Sequence, residues 1–166
     1  MSIWKQLEQD LSLWLKAQSE DKLIFRNAHQ AIKGFPPDGF RSDGMLTDGR
    51  ILVAIEVEVG QMHPDTNVGK YWMLQQIYCQ YERIILFHIY TPDFNSYGWR
   101  LELGKFYAKK MQEMIPLTYI FLDYRKASVE QYHAKRDEIQ CSLAETLIHA
   151  FKPSIPMPTI SKFPVR

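Results

Sequence analysis

Residues 41–59 read Arg41-Ser42-Asp43-Gly44-Met45-Leu46-Thr47-Asp48-Gly49-Arg50-Ile51-Leu52-Val53-Ala54-Ile55-Glu56-Val57-Glu58-Val59. Asp48-Gly49 between two β-prone runs is a hairpin signal and predicts two antiparallel strands joined by a two-residue type I′ turn. Such a turn sets Thr47 opposite Arg50, Leu46 opposite Ile51 and Asp43 opposite Ala54. Because side chains alternate along a strand, Ala54, Glu56 and Glu58 share a face with Asp43, which becomes a diagonal neighbour of Glu56 at roughly 7 to 8 Å. The second strand is apolar on both faces except for its two glutamates, the pattern of a central strand covered on both sides. Burying an unpaired ionised carboxylate is costly, and a like charge nearby adds to the cost. A hard divalent cation offsets it, because magnesium and manganese take oxygen ligands and bind through one or two carboxylates together with water and phosphate. The alternative is that Glu56 and Glu58 sit where the sheet opens to water, or pair with Arg41 or Arg83.

Outward from this hairpin the chain alternates helices and strands. Upstream, residues 2–18 place Ile3, Trp4, Leu7, Leu11, Trp14 and Leu15 on one helical stripe with Ser2 as N-cap. A short strand is expected around Leu23-Ile24-Phe25, and Gly34-Phe-Pro-Pro-Asp-Gly reads as a loop. Downstream, Pro64-Asp65-Thr66 signals a helix start, with the helix over Asn67 to Tyr81 and Val68, Tyr71, Trp72, Tyr78 and Cys79 on one face. Ile84 to Tyr90 and Leu117 to Leu122 are apolar, β-rich runs that read as buried strands. Tyr97 to Ile115 and Val129 to Phe151 are helical in period, the latter with Ile139, Leu143, Leu147 and Ile148 inward. The expected class is α/β, a mixed sheet flanked by helices in the order α-β-β-β-α-β-α-β-α. One domain over residues 1–151 is followed by a Pro-rich tail over 152–166.

Composition narrows the class further. The 166 residues are 46% hydrophobic and 23% charged, enough apolar material for a core and unlike a disordered chain. Twenty basic residues against 19 acidic give a net charge of +1, so any surface for nucleic acid has to be local. Cys79 and Cys141 lack zinc-ligand spacing. Charges at Lys5, Glu8 and Asp10 interrupt the apolar core a secretory signal requires, and no apolar run approaches the length of a membrane span, so the expected compartment is the cytoplasm.

Asp43, then Glu56-Val57-Glu58, set in this order of elements, resembles the PD-(D/E)XK nuclease superfamily, which has the restriction-endonuclease-like fold. Asp43 matches the motif Asp and Glu56 its acidic partner. Ser42 stands where the motif names Pro, and Glu58 stands where it usually has Lys, giving the E-x-E variant. The resemblance implies a magnesium-dependent endonuclease, manganese being a substitute, that hydrolyses phosphodiester bonds in nucleic acid, with DNA as the expected substrate. It implies metal ligation by Asp43, Glu56 and the Val57 carbonyl, with Glu8 of the first helix as a further ligand. Glu58 would then orient or deprotonate the attacking water. Lys70, on the following helix, would replace the missing strand Lys, and its other reading is a solvated surface cation. Arg41, Gln61 and His63 are the candidate substrate contacts, and the family also suggests a homodimer. The alternative is a catalytically inactive nucleic-acid-binding or protein-interaction module of the same fold.

Overall fold

The computed structural model describes residues 2–19, 23–27, 40–60, 63–78, 81–96 and 98–151. Its elements are α1 (Leu7–Ala17), β1 (Ile24–Arg26), β2 (Gly44–Thr47), β3 (Ile51–Glu58), α2 (Pro64–Met73), β4 (Arg83–Tyr90), α3 (Arg100–Met114), β5 (Leu117–Asp123) and α4 (Tyr132–Phe151). This is the order expected from the sequence. A 3-10 turn at Ile3–Gln6 leads into α1, and a π-helical turn at Leu74–Tyr78 prolongs α2. The expected loop at Gly34 to Gly39 and the Pro-rich tail lie outside the described residues, as do Gln61 and Cys79. No helix among the described residues is long and apolar enough to cross a membrane.

The five strands are ordered β1-β2-β3-β4-β5, so β3 is central. β1, β2 and β3 form an antiparallel meander, whereas β4 and β5 run parallel to β3. Parallel neighbours need crossover connections, and α2 and α3 supply them on one face of the sheet. There Val68, Tyr71, Ala108 and Met111 pack on Leu52, Ala54, Ile84 and Leu86. α1 and α4 cover the opposite face, where Leu7, Leu11, Leu15, Ile139 and Leu143 pack on Val53, Ile55, Phe87 and Ile89. Coverage of both faces explains why β3 and β4 read as almost continuous apolar runs.

The hairpin closes differently from the two-residue turn. Thr47 pairs with Leu52 and Met45 with Ala54, so the register is displaced by two residues and four residues separate the closing pair. Asp48 has no positive φ, which a type I′ turn demands of both its central residues; only Gly49 does, at φ 90°. Side-chain acceptors shape the turn instead. Asp48 Oδ1 accepts from the Arg50 and Ile51 amides at 2.8 Å each, and Thr47 Oγ1 accepts from the Gly49 amide at 2.9 Å. A displacement of two preserves the pleat of β2 against β3, and Asp43 lies in the bend just before the paired residues. The expected pairing of Asp43 with Ala54 is not formed: Ala54 pairs with Met45, and the ladder begins at Gly44 opposite Ile55.

Gly44 permits the close approach of α1 to this corner, since a Cβ there would lie 3.0 Å from Leu15 Cδ1 and 3.2 Å from Ile55 Cδ1. Two inward assignments are corrected. Ile148 is exposed, because the buried stripe of α4 follows Ile139, Leu143 and Leu147, and Tyr78 is exposed where the π-helical turn rotates it off the stripe of α2.

Candidate active site

β3 carries Glu56 and Glu58 into the interior, where they are 2% and 0% exposed. Asp43 enters from the bend just before β2, and its Oδ2 accepts from the Val57 amide at 2.7 Å. In an extended strand the N–H and C=O of one residue face the same neighbour, so the Val57 carbonyl turns toward the Asp43 side as well. Burial pushes the Asp43 carboxyl up to about 8, with the charges of Glu56 and then Glu8 adding to it; the Val57 amide and Lys70 oppose the rise. Glu8 therefore stands close enough to be felt. It lines, with Lys5, Gln9, Ser12, Asn27 and Asp43, a groove of about 520 Å³ between α1 and the entrance to β2.

Lys70 reaches the same place from α2. Its Nζ lies 2.8 Å from Glu56 Oε1 and donates to the Arg41 carbonyl at 2.7 Å, and the ammonium sits 5.5 Å from the centre of the Phe40 ring. The helix starts at Pro64, three residues before the expected start, which places Lys70 in its second turn. Lys70 is a half-buried, ion-paired residue and not a solvated surface cation.

Glu58 stands apart from this pair. Its Oε1 accepts from Asn67 Nδ2 at 2.9 Å and lies 2.7 Å from His88 Nε2, and His88 Nδ1 is 2.8 Å from the Tyr119 hydroxyl. Glu58 Oε2 is buried without a hydrogen-bond partner among the described residues. The carboxylate is thus sealed beneath α2. Arg41 is exposed and approaches the site through its carbonyl, His63 is exposed at the N-cap of α2, and Gln61 lies outside the described residues.

Sequence reasoning missed three participants. Tyr71 donates its hydroxyl to Glu56 Oε1 at 2.5 Å and lies 3.0 Å from Ser42 Oγ, and Ser42 itself donates to the Ile55 carbonyl at 2.8 Å. Burial, followed by the Glu56 charge, holds the Tyr71 hydroxyl well above its ordinary pKa, so it remains a donor. Tyr71 counted only as one of the apolar stripe of its helix. His88 is the polar residue within the apolar run Ile84 to Tyr90, and that was its available signal. Asn67 lies three residues before Lys70, a spacing that puts both on one helix face.

Many of the remaining cations are neutralised locally. Arg50 pairs with Glu82, Arg100 with Asp65, Lys105 with Glu102, Arg125 with Asp123 and Lys135 with Glu138. Among the described residues no three His, Cys, Asp or Glu side chains gather closely enough to hold a metal by themselves. What gathers is two carboxylates and a main-chain carbonyl. That all-oxygen set suits a hard cation that completes its shell with water and phosphate, and the Asp43 carboxyl is elevated by its burial and by the neighbouring charges of Glu56 and Glu8. Comparison with protein-family models, with curated proteins and with solved structures gives no match to this chain.

Proposed function

We propose that the chain is a metal-dependent nuclease that hydrolyses phosphodiester bonds, with DNA as substrate, on a restriction-endonuclease-like variant of its mixed sheet. One observation carries the reading: Lys70, supplied by α2, meets Glu56 of β3 beside Asp43, so two acids and a lysine converge although the strand position two residues after Glu56 is a glutamate. Asp43, Glu56 and the Val57 carbonyl would hold magnesium, with Glu8 at the groove wall. The ion would supply an acidified water and neutralise charge on the phosphate.

The chain's own residues have separate tasks. Val57 N–H and Tyr71 O–H fix the Asp43 and Glu56 carboxylates in place, so little reorganisation is needed when a cation or phosphate arrives. Lys70, held by the Arg41 carbonyl, offers positive charge to a phosphoryl oxygen in the transition state. With so many of the other cations paired to acids, affinity for nucleic acid rests on few phosphate contacts and falls with salt. A second copy of the chain in a homodimer would enlarge that surface.

The test incubates the protein with supercoiled plasmid and with single-stranded DNA in magnesium, manganese or EDTA, beside Asp43→Asn and Glu56→Gln. Metal-dependent cleavage lost in both variants supports the reading. Absence of cleavage together with absence of manganese binding would sink it and leave a binding or interaction module.

A further inference from the structure

We infer that Glu58 is a positioning residue, which clamps α2 to β3 through Asn67 so that Lys70 is delivered to Glu56. The inference rests on the reading of Asp43, Glu56 and Lys70 as the hydrolytic site, and it gives the unusual glutamate of E-x-E a task other than activating water.

The geometry separates the two tasks. A general base has to reach the water it deprotonates. Glu58 is fully buried, and both of its hydrogen bonds fall on Oε1, one from Asn67 and one involving His88. Those partners come from different elements, α2 and β4, and His88 is fixed in turn by Tyr119 of β5. One oxygen atom of β3 therefore ties the helix carrying the lysine to β4, and the His88 ring extends the tie to β5.

Polarity then passes along the helix. Because the Asn67 amide nitrogen is committed to the Glu58 carboxylate, its Oδ1 is left to face the other way, and it lies 3.5 Å from Lys70 Nζ. The run carboxylate, amide nitrogen, amide oxygen, ammonium alternates acceptor and donor, which a carboxylate at position 67 could not do. Lys70 follows Asn67 by three residues, so both lie on one face of α2, and fastening the first fixes the approach of the second. The ammonium that the strand does not carry is thus held on the helix, and the strand position it vacated holds the clamp.

The two roles predict opposite behaviour of Glu58→Gln. Glutamine keeps a carbonyl oxygen able to accept both bonds, so a clamp survives and a base does not. With Glu58→Gln, cleavage stays within a few-fold of the parent, whereas Glu58→Met and Asn67→Asp lose about 100-fold in kcat with little change in KM, the scale expected when a catalytic group is displaced by an ångström. The second readout is the Lys70 ammonium resonance in nitrogen-15 NMR, assigned by its disappearance in Lys70→Arg. A held ammonium exchanges slowly enough to be seen. It keeps its intensity in Glu58→Gln and is weakened by faster exchange in Glu58→Met and in Asn67→Ala, where Glu56 and the Arg41 carbonyl alone hold it; the half-buried site at Asn67 tolerates truncation.

Glu58→Gln as inactive as Glu58→Met, or an ammonium signal in Asn67→Ala that matches the parent in intensity and exchange rate, overturns the inference. Because the resonance needs neither metal nor substrate, a protein that cuts no DNA still decides it, and loss of the nuclease reading is distinguishable from loss of the clamp.

Discussion

Lys70 Nζ lies 2.8 Å from the Oε1 of Glu56, a carboxylate that is 2% exposed. The pair joins the central strand to the first crossover helix, and each partner offsets the desolvation of the other. Removing the cation leaves Glu56 buried with Tyr71 as its remaining hydrogen-bond partner of those found here. Lys70→Met is therefore expected to destabilise the protein by an amount approaching the lower end of the about 3 to 5 kcal/mol typical of a broken buried pair, since the lysine is partly solvated. Urea unfolding of Lys70→Met and of the double variant Lys70→Met/Glu56→Gln measures this. The double variant should recover part of the loss, and equal stability of the single variant and the parent would mean the pair contributes nothing.

Asp43 makes stability depend on pH in the direction opposite to that of a salt-bridged carboxylate. Its carboxyl is pushed up to about 8 in the fold from 3.8 when unperturbed. Between those values the native state holds a proton that the unfolded state has released, so stability is greatest on the acid side of this window and falls as pH rises through it. One such group gives a slope of at most about 1.4 kcal/mol per pH unit. Unfolding midpoints in EDTA should decline from pH 5 to pH 8 in the parent and decline less in Asp43→Asn. Superimposable pH profiles for the two proteins would rule the effect out.

The order of helices and strands was readable because each apolar run has a clear period and ends at turn residues such as Gly49, Pro64 and Pro116. The hairpin register was not, since Asp48-Gly49 advertises a short turn without stating how many residues it spans. The displacement happened to be even, so the faces of β2 and β3 stayed as expected, with Glu56 and Glu58 sharing one, and Asp43 came to the site from the bend before the ladder. Tyr71 and His88 were hidden for a different reason: each sits at a core position of its own element and becomes part of the site only through contact with another. His88 lies opposite Glu56 in the β3–β4 register, yet its ring reaches along the strand to Glu58. That pairing requires the register between two strands separated by a helix, and no local pattern encodes it.

The turn that sets the register offers its own test. Asp48 Oδ1 holds two backbone amides at 2.8 Å, so Asp48→Ala should cost about 1 kcal/mol, the scale of one net hydrogen bond, because water replaces part of what is lost at this exposed site. Asp48→Asn keeps the acceptor oxygen and should stay near the parent. Gly49→Ala should be destabilising as well, since φ of 90° strains any residue with a Cβ. Thermal unfolding of the three variants ranks them, and an Asp48→Asn protein as unstable as Asp48→Ala would show that the acceptor is not what shapes the turn.

Tyr71 is the other support of Glu56, and its removal separates orientation from charge. The single phenolic proton goes to Glu56 Oε1 at 2.5 Å, while Ser42 Oγ, 3.0 Å away, keeps its own bond to the Ile55 carbonyl. Tyr71→Phe deletes that donor with almost no change of shape, and a hydrogen bond to a charged group contributes about 1.5 to 3 kcal/mol. Ser42→Ala removes a neighbour that does not touch Glu56 and should cost less. Lys70 still neutralises Glu56 in Tyr71→Phe, so manganese binding should weaken without disappearing, whereas Glu56→Gln should abolish it. Titration of manganese by its paramagnetic relaxation, run beside urea unfolding on the same samples, measures both effects. If Tyr71→Phe matched the parent in stability and in manganese affinity, the hydroxyl would be a satisfied core group and Lys70 alone would position Glu56.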